Sequence, residues 1–286
     1  MDTDNQFGLN DHGSSSVPNE HTITDEGKDI FSWLSTLEPQ KQHSHVSHSR
    51  LKGVGGWFLE TAEFRSWRDD DSEFVGQILF CQGVPGAGKT FISSLAIDNL
   101  SEISDPARAK IGVSYIYNDY RNQKYQDSAG IMGGLLKQLL AGLPDMPEEV
   151  TQAFQEAKEC LGGQDSLLPT ILKLFPSVLA SFGQVFMLID AWDEFSADTR
   201  FMLFRSLRQV TQGSPKTRLL LTGRSHIRPE LDEYLAKPTI FVTIQPTPDD
   251  IEMFSRWKLG QDLVPDSMDG DLRSEITAQI HKLPKM

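Results

Sequence analysis

Residues 83–90 read Gly83-Val84-Pro85-Gly86-Ala87-Gly88-Lys89-Thr90, and this stretch decides the fold. It matches the G-x-x-x-x-G-K-[ST] pattern of a phosphate-binding loop. Its glycines let the backbone curl until successive N–H groups point at one anion, at the positive end of the helix that follows. A chance glycine-rich turn would lack the flanking grammar found here. An apolar run, ILFC, feeds the loop, and an amphipathic run, FISSLAIDNL, leaves it. All eight residues are therefore nucleotide-binding candidates: Gly83, Val84, Pro85, Gly86, Ala87 and Gly88 through the backbone, Lys89 through the β/γ-phosphates, and Thr90 through its hydroxyl on Mg²⁺.

Working outward, five apolar, partly β-branched runs read as strands: Gln77–Cys81, Ile111–Tyr117, Val185–Asp190, Arg218–Thr222 and Thr239–Ile244. Helical spacing occupies Ile92–Leu100, Ile131–Leu140, Leu168–Phe182 and Arg200–Val210. Alternating strands and helices predict a parallel sheet covered on both faces, an α/β fold. The third strand ends in Asp190 and runs into Ala191-Trp192-Asp193-Glu194. An apolar strand ending in an acid suits the second Mg²⁺ ligand, beside Thr90. Asp193 or Glu194 could orient or activate an attacking water, and both also suit an acidic helix start. The fourth strand ends in Thr222-Gly223-Arg224, which places a cation at the sheet edge where open α/β folds bind ligands. Arg224 could stabilise charge on a departing γ-phosphate, with Arg228 a weaker candidate. Asn118-Asp119-Tyr120-Arg121 reaches the same edge as an ordinary loop. No N-K-x-D element reads guanine, so ATP is preferred over GTP.

Composition narrows the class. The chain has 286 residues, 40 acids against 27 bases and a formal charge of −13, which disfavours general nucleic-acid or anionic-membrane binding. Nearly half of that charge belongs to residues 1–29, an acidic, apolar-poor tail expected to be disordered. Residues 30–75 read as lead-in helices and a linker. They comprise a short helix over Ile30–Leu37, a polar His-rich linker with His43, His45 and His48, and a helical run anchored by Trp57, Phe58, Phe64 and Trp67. The histidines have no nearby Cys or acid to complete a metal shell, so a solvated linker is the expectation. Residues 76–246 form the nucleotide-binding core. Residues 247–286 begin a helical domain, in which Leu272, Ile276, Ile280 and Leu283 keep helical spacing. Cys81 and Cys160 make no disulfide framework, and the N-terminus shows neither a signal peptide nor a membrane span. A reduced, cytoplasmic location is the expectation.

The segments GVPGAGKT, FMLIDAWDEF and LLLTGRS, with the lead-in GVGGWFLETAEFRSW, resemble fungal NACHT-type P-loop NTPases. The nearest look is the nephrocystin-type N-terminal NTPase module often found upstream of ankyrin or WD repeats. The resemblance runs from about Ile30 to Phe254. It implies a three-layer α/β/α fold with five parallel strands in the order 5-1-4-3-2. It also implies a signal-transduction ATPase of the STAND class, with an ADP-bound resting form, an ATP-bound oligomerising form and slow hydrolysis. By position, Lys89 and Thr90 match the Walker A lysine and hydroxyl, Asp190 the Walker B aspartate, Asp193 and Glu194 the paired acids, and Arg224 the sensor arginine. The expected ligands are ATP or ADP with Mg²⁺, and the expected partner is another protein or a second copy. Such proteins usually continue into helical, winged-helix and sensor-repeat domains, for which this chain has no room after Ile251. A second function therefore stands beside the first: a catalytically inert, truncated interaction module that binds nucleotide or full-length relatives without turnover. A small-molecule kinase is a weaker third, because no acceptor pocket or lid is legible.

Overall fold

The computed structural model describes residues 24–69, 77–103, 110–118, 127–159, 167–235 and 239–260. Five parallel strands form one sheet: β1 (Ile78–Gln82), β2 (Ile111–Tyr117), β3 (Gln184–Asp190), β4 (Thr217–Gly223) and β5 (Thr239–Thr243). Their spatial order is β2-β3-β4-β1-β5, the expected 5-1-4-3-2 read from the other edge. Strand β4 thus lies between the strand that feeds the glycine-rich loop and the strand that ends in Asp190. The register pairs Gln82 with Gly223, Ile189 with Leu221 and Tyr117 with Asp190, so the carboxyl ends finish together.

Strand side chains alternate between two buried cores, as the period of two requires. Ile78, Phe80, Met187, Ile189, Leu219 and Leu221 face one core. Leu79, Cys81, Phe186, Leu188 and Leu220 face the other. The first core is covered by α1 (Asp25–Leu34), α6 (Ser128–Ala141), α7 (Glu148–Glu159), α8 (Leu167–Ala180), α9 (Ala197–Gly213) and α10 (Arg228–Leu235). The second is covered by α2 (Pro39–Ser49), α3 (Trp57–Glu60), α4 (Ala62–Asp69) and α5 (Lys89–Ser101). The result is the three-layer α/β/α architecture. Phe58, Phe64 and Trp67 are fully buried, and the Trp67 ring lies 5.2 Å from that of Phe186, so the lead-in aromatics dock on the sheet.

The lead-in departs from its sequence reading in two places. Helix α1 starts at Asp25, so the segment expected to be disordered through residue 29 is helical at its end. Thr24 caps the helix by accepting from the Gly27 amide at 3.2 Å, and Asp25 and Glu26 lie in the acid-favouring first turn. Residues 1–23 lie outside the described residues, as do Cys160 and the helix expected near Leu272–Leu283.

The second departure is larger. The His-rich stretch is no solvated linker but helix α2, begun at Pro39. It has little apolar periodicity because polar contacts hold it to α5. His43 Nε2 lies 2.9 Å from Asp98 Oδ1, and His43 Nδ1 lies 2.8 Å from the Tyr117 hydroxyl. Arg50 donates to Asp98 Oδ2 at 2.6 Å and to Ser94 Oγ at 3.0 Å. At the other end of the lead-in, Asp250 in α11 (Pro248–Gly260) accepts from the Gly55 amide and from Trp57 Nε1, each at 2.9 Å. Gly55 has a φ of +79° and sits where a Cβ would meet Ile92 Cδ1 at 2.9 Å, so glycine serves both turn and contact.

Burial alone would raise the Asp98 carboxyl, but hydrogen bonds from His43 and Arg50 outweigh it and hold the group below its ordinary range. A lowered carboxyl stabilises the fold above its unfolded pKa, and that contribution is lost as pH falls through the folded value. Asp98→Asn is expected to destabilise the chain by about 1–2 kcal/mol at neutral pH, allowing for partial exposure. The deficit should shrink under strong acid in denaturant titrations that compare the variant with wild type.

Candidate functional site

The site forms where β1, β3 and β4 end. Beyond β1 the chain turns through Gly83, whose added Cβ would meet the Ile244 carbonyl at 2.8 Å, and then through Gly86 and Gly88 at φ near +80° and +89°. Both values are left-handed, which is why the spacing demands glycine there. Gly88 is the N-cap of α5 and offers no side chain to its first amides, so no capping group competes with an anion.

A cleft of about 330 Å³ opens over this end. Its walls include Pro85, Gly86, Gly88, Lys89 and Thr90 from the loop and the start of α5, Asp190 at the end of β3 with Asp193 and Glu194 beyond it, and Thr222 near the end of β4 with Arg224 beyond it. Of the expected nucleotide-binding residues, Gly83, Val84 and Ala87 do not line it. The Gly83 and Val84 carbonyls accept instead from Lys89 Nζ at 2.9 and 3.0 Å. Ala87 is buried. Two of the three ammonium N–H groups of Lys89 are thereby engaged, which leaves one for a ligand. Burial pulls the ammonium below its ordinary pKa, while the nearby Asp193 and Asp190 oppose that pull.

Asp190 is the centre of the site. It is only 4% exposed, and its carboxylate accepts three hydroxyl hydrogen bonds: Thr90 at 2.7 Å on Oδ2, and Ser93 at 2.9 Å and Thr222 at 2.6 Å on Oδ1. A buried carboxylate needs such donors. Thr222 also accepts from the Ala191 amide at 2.9 Å, and Asn118 Nδ2 donates to the Ala191 carbonyl at 3.1 Å. These bonds pin Ala191 at φ +53°, a left-handed conformation that costs a residue with a Cβ about 1–2 kcal/mol. The turn at Ala191 swings the short 3-10 helix Trp192–Glu194 back across the sheet end and buries Trp192 against Phe204.

Asp193 pairs with Arg224, Nε to Oδ2 at 3.1 Å, and also accepts from the Arg224 amide on Oδ1 at 3.2 Å. Glu194 borders the cleft, and burial first, then Asp193 and Asp190, push its carboxyl above its ordinary range. Arg228 does not join them, because its guanidinium lies 4.0 Å over the Phe241 ring. Asp119, Tyr120 and Arg121 lie outside the described residues. The sequence marks Thr222 only as a polar side chain at the ligand edge and gives no role to Ser93 or Asn118. Ser93 had a usable signal, since it follows Thr90 by three residues and so shares its helix face.

Together the fold and the cleft define a P-loop NTPase module of NACHT type. The chain belongs to the nephrocystin 3, N-terminal family, whose model matches residues 53–224. It is 23% identical over 211 residues to the vegetative incompatibility protein HET-E-1 of Podospora anserina, an overlap that covers 72% of this chain and 15% of that protein. Among solved structures, it is similar to a Walker-type ATPase of Pyrococcus abyssi with a TM-score of 0.46 and 13% identity, covering 79% of this chain and 63% of the other. The Aeropyrum pernix ORC2 protein gives a TM-score of 0.45 and 11% identity, covering 79% and 52% respectively. Among the described residues, no helix is long and apolar enough to cross a membrane.

Thr222→Val removes the donor to Asp190 and the acceptor for Ala191 while keeping the shape. It is expected to destabilise the chain by about 1–3 kcal/mol, because two buried partners lose their bonds. Thr222→Ser should recover most of that loss in thermal unfolding.

Proposed function

We propose that this chain is the ATP- and Mg²⁺-binding NACHT core of a signal-transduction protein of the STAND class. It hydrolyses ATP weakly at most and acts through a protein partner or self-association in the cytoplasm. The observation that carries this reading is the convergence of Lys89, the Thr90–Asp190 pair and Arg224 on one cleft above the amino end of α5. The Thr90 hydroxyl and Asp190 carboxylate form an all-oxygen pair, the donor chemistry that Mg²⁺ requires. They would hold the ion, which when bound neutralises phosphate charge. The loop amides and the helix end would take the phosphates, with Lys89 turning its remaining N–H toward them. Arg224 offers a fixed cation to the terminal phosphate. Glu194, its carboxyl held above the ordinary range by burial and by the neighbouring acids, would orient water or accept a proton from it.

Two experiments test this reading. Lys89→Ala should weaken binding of ATP with magnesium at least tenfold in calorimetry, and unchanged binding would remove the proposal. In single-turnover hydrolysis, the base form of Glu194 is its anion, so the rate should climb with pH through a midpoint above the ordinary carboxylate range. Glu194→Gln should erase that limb. A wild type that binds ATP but turns over no faster than Glu194→Gln would support the inert interaction module instead.

A further inference from the structure

Asp193 and Glu194 are adjacent acids of the same cleft, yet their surroundings differ. The Asp193 side chain is 6% exposed, and both of its oxygens are committed to Arg224, Oδ2 to the guanidinium Nε and Oδ1 to the backbone amide. Each oxygen of this carboxylate thus holds one part of the same residue. The Arg224 side chain, by contrast, is half exposed and borders the cleft. Because Asp193 engages Nε, the N–H groups on the two terminal nitrogens are left for a ligand.

The neighbouring residue is built to permit this contact. A Cβ at Gly223 would lie 3.2 Å from Asp193 Oδ1 and 3.2 Å from Phe80 Cζ, so a side chain there would crowd the carboxylate. The Gly223 carbonyl meanwhile accepts from the Gly83 amide at 3.2 Å, which ties this corner to the start of the phosphate-binding loop. Asp193 therefore reaches from the turn after β3 to the exit of β4 and fixes both the backbone and the guanidinium of Arg224.

We propose that Asp193 is a positioning residue: it aims Arg224 at the terminal phosphate and so sets the preference for nucleoside triphosphate over diphosphate. This inference rests on the nucleotide-binding reading above. One ion pair on the guanidinium Nε, with the same carboxylate holding the backbone amide, pre-organises the terminal nitrogens, and less rotamer entropy remains to be lost when phosphate arrives. A diphosphate gives Arg224 nothing to grip, so loss of aim should weaken triphosphate binding selectively.

The test is a double-mutant cycle on the full chain, with Asp193→Ala, Arg224→Ala and both together. Affinities are measured for a non-hydrolysable ATP analogue and for ADP, each with magnesium. Each single change should reduce the triphosphate-over-diphosphate preference about tenfold, and the double should be no worse than Arg224→Ala alone. Asp193→Asn, which keeps an acceptor for the Arg224 amide, serves if the alanine variant does not fold. In single-turnover hydrolysis by Asp193→Asn, the limb assigned to Glu194 should persist and move to lower pH, because a negative neighbour has gone. Additive effects, tighter triphosphate binding on loss of Asp193, or a vanished limb in Asp193→Asn would each overturn the inference while leaving nucleotide binding in place. A wild type that binds neither nucleotide would overturn the underlying reading as well.

Discussion

The architecture of the site depends on one buried carboxylate. Asp190 takes hydroxyls from Thr90 and Ser93 on α5 and from Thr222 on β4, and so joins three elements that are far apart in sequence. A carboxylate this deep would be prohibitively costly without donors, so the three bonds act together to hold helix and strands in one arrangement. Every other part of the cleft is located relative to that junction. The left-handed turn at Ala191 is pinned by Thr222 and Asn118, and it throws Asp193 and Glu194 across the strand ends.

The order of strands turns this junction into a binding edge. With β4 between β1 and β3, the glycine-rich loop, the acid strand and the arginine strand finish side by side. The lead-in and the last described helix then brace the helix that leaves the loop. On one side, α2 grips α5 through His43, Arg50 and Asp98. On the other, Asp250 ties α11 to the Gly55–Trp57 turn that presses on Ile92. Both braces act on α5, whose amino end faces the cleft.

The parts that were legible in the sequence share a cause. All five strands lie within a residue of their sequence-expected ends: β1, β3 and β4 are buried on both faces and leave continuous apolar runs, and the less buried edge strands β2 and β5 are marked by β-branched and aromatic residues. The glycines, Lys89, Thr90 and Asp190 were legible because phosphate and metal chemistry constrains residue type and spacing together. What escaped lacks such a code. Helix α2 is held by polar side chains with partners on other elements, so no apolar period marks it. Only Val150 and Phe154 of α7 are buried, which is too few to show a stripe. Thr222 and Asn118 are ordinary residue types until the sheet brings them to Ala191.

Sequence by itself determined the fold class, the strand boundaries and the glycine-rich loop, because those rest on local periodicity and on motifs contained within single segments. Only the tertiary structure decided which of the two acids meets Arg224. Asp193 and Glu194 are neighbouring acids in the chain and both border the cleft, yet it is Asp193 that closes onto Arg224. Their difference arises from contacts across thirty residues between the ends of two strands. Long-range pairing of that kind depends on strand order and on the missing side chain at Gly223, and neither is written in the spacing around position 193.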